Sequence, residues 1–337
     1  MKRGLVKRVS LLAAVLLLVF LVQSTFAQTV DVVELVVVSA ASAGTTEDGV
    51  DYDPYDILVR TTLSEDDTAS VSTAYEKWIN GEDYGLDAKH AINAIAVLSE
   101  YDCASPDCFY GAFLSFKQQL VKVPGISPKV AGQDIVLMGT GIGYFEMAFD
   151  GSDVGLSTQS EKIDGLDFYN PSAPESADVE LPDDCTEGVF FISTQGAYRV
   201  PAADGGSLTG NGSDILLFCA TNLGWNTTGY WFRGHDESDH DLSPSDAMSD
   251  FDVVYITSAD PAAVDDEAVM MAFSFVTHGT FTGEGGAAGG PSEQFFFPIY
   301  GDPWSDYDGP GIDFNQGWPA LNGKVTGYDV IWYGASG

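Results

Sequence analysis

A chain of 337 residues with 14 Lys and Arg against 50 Asp and Glu carries a formal net charge of −36, and 45% of its residues are hydrophobic. That composition supports a sizeable folded core and excludes a disordered chain. So large a negative charge repels phosphate backbones and anionic lipid, which disfavours nucleic acid and membrane surfaces as partners.

The first element in the chain is a leader. A basic start, MKRGLVKR, precedes an apolar stretch from Leu11 to Val22, and Ser24-Thr25-Phe26-Ala27-Gln28 supplies small residues before a cleavage point after Ala27. The apolar stretch is short against the ~20 residues a membrane span needs. Residues 1–27 therefore read as a signal peptide and 28–337 as one exported domain with no membrane span after cleavage. The expected location is secreted or cell-surface. The acid excess reads mostly as a solvating surface, with a few carboxylates left for hard cations such as Ca²⁺.

The elements that follow recur. An extended run from Leu35 to Ser39 is followed by Asp56-Ile57-Leu58-Val59, then Tyr75 to Ile79, then the turn Asn80-Gly81-Glu82-Asp83-Tyr84-Gly85-Leu86. The same order returns as Phe113-Leu114-Ser115, Asp134-Ile135-Val136-Leu137, Tyr144 to Phe149 and Asp150-Gly151-Ser152-Asp153-Val154-Gly155-Leu156. A third pass runs through Phe191-Ile192-Ser193, Asp214-Ile215-Leu216-Leu217, Tyr230 to Phe232 and the segment from Asp236 to Leu242. The fourth is degenerate, with Phe275-Val276-Thr277 as its opening and Gln294-Phe295-Phe296-Phe297 as its third strand.

Four copies of one further column complete the pattern: Ile92 to Val97, Ile163 to Phe168, Met248 to Val253 and Val325 to Val330. Each reads apolar, oxygen-bearing, mostly small, apolar, and such alternation marks a half-buried strand. Strand is preferred over helix for 86–99 because that column matches residue by residue. The units run over approximately 35–98, 111–169, 188–257 and 270–334. The chain opens on a second strand and closes on a first strand (Tyr328 to Tyr333), so pairing the two would seal a ring. The expected fold is all-β: a β-propeller of about four four-stranded blades closed by the N- and C-terminal strands, with a β-sandwich as the alternative.

The string Phe149-Asp150-Gly151-Ser152-Asp153-Val154-Gly155-Leu156, with Gly132-Gln133-Asp134-Ile135 before it and Ile163-Asp164-Gly165-Leu166 after it, resembles an uncharacterised bacterial extracellular repeat family. The resemblance runs from about Val36 to Thr257 and departs in the third unit, where Glu237 and His240 replace Gly and Val. It implies propeller-like units and no catalytic residues. The blade count is also similar to that of hemopexin-like propellers, whose innermost strands can bind cations along the axis; this is an analogy of architecture alone.

Candidate chemistry is sparse. In an antiparallel meander Cys185, before one strand, should meet Cys219, at the end of the next; Cys103 and Cys108 then close a short loop, and export favours disulfides. Asn93, Asp164, Ser249 and Thr326, one per unit, form an oxygen column that would suit Ca²⁺ if the first strands line an axis. The opposing expectation is that these residues bond neighbouring backbone. His235 and His240 with Asp236, Asp239 and Asp241 read more economically as a solvated turn than as a metal site. No Gly-x-Ser-x-Gly, His-Glu-x-x-His or phosphate loop is present, so no enzyme is expected. The first function class is a structural or adhesive module that engages a surface protein. The second is a carbohydrate-recognition module binding an extracellular glycan through Trp225, Trp304, Tyr307 and Trp318 in loops. The sequons Asn211-Gly212-Ser213 and Asn226-Thr227-Thr228 fit exposed loops.

Overall fold

Runs of Val, Ile, Leu and Phe broken by Gly, Pro and Asp form strands throughout the computed structural model. It describes residues 30–65, 71–99, 106–140, 144–170, 185–235, 248–256, 268–275, 279–280, 288–289, 294–300 and 325–333, with the backbone alone at 30–34, 63–65, 71–72, 235, 248–250 and from 252 onward. Fifteen strands build the four larger sheets, all antiparallel. They are β1 (Val30–Ala40), β2 (Ile57–Glu65), β3 (Val71–Ile79), β4 (Ile92–Ser99), β5 (Phe109–Phe116), β6 (Ile135–Gly139), β7 (Tyr144–Phe149) and β8 (Ile163–Tyr169). The remainder are β9 (Gly188–Thr194), β10 (Ile215–Asn222), β11 (Thr228–His235), β12 (Met248–Ile256), β13 (Ala268–Phe275), β14 (Gln294–Tyr300) and β15 (Val325–Tyr333).

Sheet I has the order β15-β1-β2-β3, sheet II β4-β5-β6-β7, sheet III β8-β9-β10-β11, and sheet IV β12-β13-β14. The expected union of the two ends is present: Val36 lies opposite Val330, Val38 opposite Tyr328 and Ser39 opposite Gly327. The strand preference over 86–99 holds for Ile92–Ser99, preceded by a short 3-10 turn at Ala88–His90. The fourth opening strand ends at Phe275, earlier than expected. Leu114 faces Ile95, Ile192 faces Leu166 and Phe273 faces Phe251, so the equivalent of Phe113-Leu114-Ser115 is Ala272-Phe273-Ser274 rather than Phe275-Val276-Thr277.

Two apolar layers separate the first three sheets. Leu35, Val37, Ile57 and Val59 of sheet I pack with Ile95, Leu114, Val136 and Met138 of sheet II. The opposite face of sheet II sends Ala94, Phe113 and Phe149 against Leu166, Phe190, Phe218 and Trp231 of sheet III. With both faces covered, sheet II has no polar side, which is why β4–β6 read as nearly continuous apolar runs. Edge-to-face rings reinforce the second layer: Phe113 with Phe190 at 5.1 Å and Phe149 with Phe218 at 5.1 Å.

Outer strands are partly covered. Tyr75 N–H on β3 donates to Asp48, which follows the short strand Gly44–Thr45, and Ala148 C=O on β7 accepts from Gly224. Trp231 C=O on β11 accepts from Ala203. Such bonds block strand addition at these points. Between sheets, β4 adjoins β8 and β15, and β12 adjoins the same two strands.

Candidate functional site

The oxygen column behaves in a way that alternation alone does not foresee. In β4 the pairing passes from Ile92–Phe116 to Ala94–Ser115 and skips Asn93. It skips Asp164 in β8, Ser249 in β12 and Thr326 in β15 in the same manner. All four residues are therefore bulged, and the next residue (Ala94, Gly165, Asp250, Gly327) lies opposite a serine: Ser115, Ser193, Ser274 or Ser39. A bulge adds one unpaired residue and re-aims its side chain.

Where side chains are described, these residues bond sheet II to sheet III and, within sheet III, β9 to β8. Asn93 Nδ2 donates to Ile163 C=O at 2.6 Å, and Ser115 Oγ donates to the same carbonyl at 2.9 Å. Ser193 Oγ donates to Asp164 Oδ1 at 3.2 Å. Ser39 Oγ, fully buried, has no hydrogen-bond partner among the described residues. Gly165 is required by proximity, since a Cβ there would lie 2.6 Å from the Phe251 ring and 2.3 Å from Ser193 Oγ. The side chains of Ser249 and Thr326 lie outside the described residues.

Asp164 is buried, and burial pushes its carboxyl well above the ordinary range despite the Ser193 hydrogen bond and the charge of Lys162. Asp164→Asn supplies the neutral side chain that already stands at 93 and keeps an acceptor for Ser193. It is expected to raise stability at neutral pH by about 1 kcal/mol in chemical denaturation, because no buried carboxylate must then be ionised or held protonated. A Ca²⁺ cage at this column requires the reverse: loss of stability in Asp164→Asn, together with loss of the Ca²⁺ taken up by chelator-washed wild type.

A second recurring arrangement explains the Asp and Gly columns. Asp56 Oδ1 accepts from Gly81 N and its Oδ2 from Asp53 N. Asp134 repeats this with Gly151 N at 3.1 Å and Ala131 N at 2.7 Å. The carboxylate thus pins the turn that follows the outermost strand to the loop that precedes the third. A glycine is needed because its Cβ would sit 2.3 Å from Tyr55 C=O at 81, or 2.3 Å from Gln133 C=O at 151. Gly85 (φ 76°) and Gly155 (φ 105°) end the two turns in the left-handed region. Asp214 keeps the loop bond, from Asn211 N, and also accepts from Tyr198 Oη at 2.8 Å. Residues 236–242, which the repeat aligns with the two turns, lie outside the described residues.

Gly151→Ala is expected to cost about 2 kcal/mol, as overpacking against backbone does. Gly196→Ala, whose nearest neighbour would be Ser160 Cβ at 3.4 Å, should cost far less. Urea titration of the two variants measures both.

Three buried carboxylates meet different fates. Asp56 has Lys77 Nζ at 2.6 Å. Glu161 is buried, which alone would raise it, but the backbone N–H groups of Ser157, Thr158 and Arg199 hold it below the usual value. Asp134 is pushed up to about 6, first by burial and then by the charges of Asp150 and Asp153. The position equivalent to Lys77 is occupied by Met147: Lys77 faces Leu58 as Met147 faces Val136. Sequence comparison of the two turns carried that difference, but nothing in it showed that the upstream Asp and the turn Gly touch.

Cys185 and Cys219 form a disulfide, with Cα atoms 4.9 Å apart, as the meander argument expects. Cys108 is also disulfide-bonded, and its expected partner Cys103 lies outside the described residues. A disulfide is consistent with an extracellular location. Among the described residues no helix is long and apolar enough to cross a membrane. No cluster of three or more His, Cys, Asp and Glu there is placed to hold a metal ion. Of the histidine segment, only His235 falls on a described strand.

Among the loop aromatics, Trp225 lies in the β10–β11 connection and is 38% exposed. Trp304, Tyr307 and Trp318 lie outside the described residues. The loop with Asn211 is less open than expected: Ser213 is fully buried and its N–H and hydroxyl both donate to Asn211 Oδ1. No family model, curated protein or solved structure matches the chain.

Proposed function

We propose that this chain is a secreted or cell-surface, non-enzymatic β-propeller of four repeat-built blades that acts as a structural or adhesive module. The observation that carries the reading is the pairing of β1 with β15 across nearly the whole chain. Beside it stand the cyclic adjacency of β4, β8, β12 and β15 and the bulge that recurs in each of these four first strands. Sheets I–IV are then the blades, and each sequence unit lends its last strand to the next sheet. The recurrent Asp–Gly clamp supports the repeat, and with it the likeness to the bacterial extracellular family. The oxygen column fits a structural role better than an ion site, because Asn93 reaches across to Ile163 C=O of sheet III and Asp164 Oδ1 accepts from Ser193 of its own sheet.

Adhesion is the use that suits such a body. A ring with few open edges resists aggregation, and a strongly acidic surface keeps it dispersed outside the cell. Intramolecular cross-linking tests closure. Val38→Cys with Tyr328→Cys places two thiols at opposed positions. The expected product under oxidation is a monomer whose digest contains the 38–328 cross-link. Cross-links found only between chains, or none in folded protein, overturn the closed ring.

A further inference from the structure

We infer that Asn226 is an attachment site for an N-linked sugar, and that Asn211, the other sequon, is not. The inference goes beyond the structural reading and shares with it only the export of the chain. An Asn-x-Ser/Thr acceptor needs its amide nitrogen and the hydroxyl two residues on to be reachable together, in a segment that can lie extended in another protein's active site. The two sequons differ in whether the asparagine side chain and the hydroxyl two residues on are exposed together.

Asn226 sits in the short connection between β10 and β11, and the loop is fastened on either side of it. Gly224 N donates to Ala148 C=O of sheet II at 2.7 Å, and the buried Thr227 hydroxyl accepts from Asp150 N at 2.9 Å. The same hydroxyl donates to Gly224 C=O at 2.7 Å. These bonds turn Thr227 inward and leave Trp225 and Asn226 facing solvent. The backbone of Asn226 is engaged, its C=O accepting from Asn222 Nδ2 at 2.5 Å. Its side chain is exposed, and Thr228, also exposed, opens β11 in extended backbone. Thr228 Oγ1 lies 3.0 Å from the Oγ1 of half-buried Thr221.

At the other sequon the acceptor and the hydroxyl consume each other. Ser213 Oγ, fully buried, donates to Asn211 Oδ1 at 2.9 Å, and Ser213 N donates to the same oxygen at 3.2 Å. Asn211 N–H is tied to Asp214. Asn170-Pro171-Ser172 has proline in the middle and is not an acceptor. The co-substrate is a lipid-phosphate-linked sugar. The bond from Asn226 Nδ2 to the anomeric carbon forms as the carbon–oxygen bond to phosphate breaks; the amide gives up one proton, and the lipid phosphate departs with the bonding pair.

The experiment secretes the full chain, carrying a flexible C-terminal Asn-Ala-Thr tag, from a host with an oligosaccharyltransferase, and maps its peptides by mass spectrometry. With the tag occupied, the peptide holding Asn226 should carry the host sugar and the peptide holding Asn211 should be bare. Asn226→Gln and, separately, Thr228→Val should each remove the sugar from that peptide while leaving the tag modified. Bare Asn226 beside an occupied tag, or a sugar on Asn211 instead, overturns the inference. A chain retained in the cell with its tag bare overturns export itself, and that outcome is distinct from bare Asn226 on a secreted chain.

Discussion

Replacing Cys185 and Cys219 together with serine is expected to lower the free energy of unfolding by about 4 kcal/mol. The bridge spans 34 residues of sequence and joins Cys185, in the loop that leads into β9, to Cys219 within β10, enclosing the small hairpin of Tyr198–Pro201 with Ser207–Gly210. Without it, the unfolded chain gains the freedom of a long open loop, which is the larger part of the effect. Both positions are also nearly fully buried, so each serine brings a hydroxyl into an apolar setting. Sheet III lies against the Asp150–Gly155 turn through Trp231 Nε1, which donates to Val154 C=O at 2.8 Å, so its loosening should reach sheet II. Guanidinium titration of the double variant against wild type measures the loss. A change under about 1 kcal/mol would show that the sheet is held by its β9–β10 ladder and core alone.

The second large effect is a dependence on pH that runs opposite to ordinary acid unfolding. Asp134 has its folded pKa raised from 3.8 to about 6. A raised carboxyl favours the folded state at low pH, where both states are protonated at that group or the folded state holds the extra proton. That stability is fully present below the unfolded value and disappears as pH climbs through the folded one. The whole contribution is about 3 kcal/mol, of which about 2 kcal/mol is lost between about pH 4.5 and about pH 7.5. Met147→Lys should abolish much of this by placing an ammonium where Lys77 already meets Asp56. The expected result is a variant whose stability relative to wild type rises by about 2 kcal/mol across that window. Parallel profiles for the two proteins would refute the role given to Asp134. Comparing variant with wild type removes the background from Asp164, which titrates in the same direction, and from Glu161, whose hydrogen bonds act in the acid range.

Much of the architecture was legible because the same local rules recur. A strand such as Ile135–Gly139 is announced by its apolar run and by the Asp134 that ends the preceding loop, and the turn after Phe149 by Asp150-Gly151. Pairing of the termini could be argued before any coordinates, since the chain begins one strand late in its pattern and ends one strand into the next. The misplaced fourth opening strand shows where this fails. Phe275-Val276-Thr277 is as good a match by residue type as Ala272-Phe273-Ser274, and only the ladder to Phe251 decides between them.

The candidate site was legible as a column but not as a structure. Asn93, Asp164, Ser249 and Thr326 stand out because each carries an oxygen between apolar neighbours, and alternation gives no hint that the register slips at each of them. A bulge is a property of two strands together, so one strand's sequence does not display it. The openness of a sequon is likewise decided elsewhere: Ser213 is closed by burial, whereas Asn226 is opened because Thr227 is claimed by sheet II.

Local chemistry, then, settled much of what the described segments become: strand, tight turn or cross-link partner. These outcomes depend on periodicity, glycine stereochemistry and cysteine placement within a few residues. Tertiary structure alone decided which carboxylate received a lysine and which was left to hold its proton, which serine met which bulge, and which sequon stood exposed. Each of those depends on groups from different sheets arriving at one point, and distance in space is not written in the order of residues.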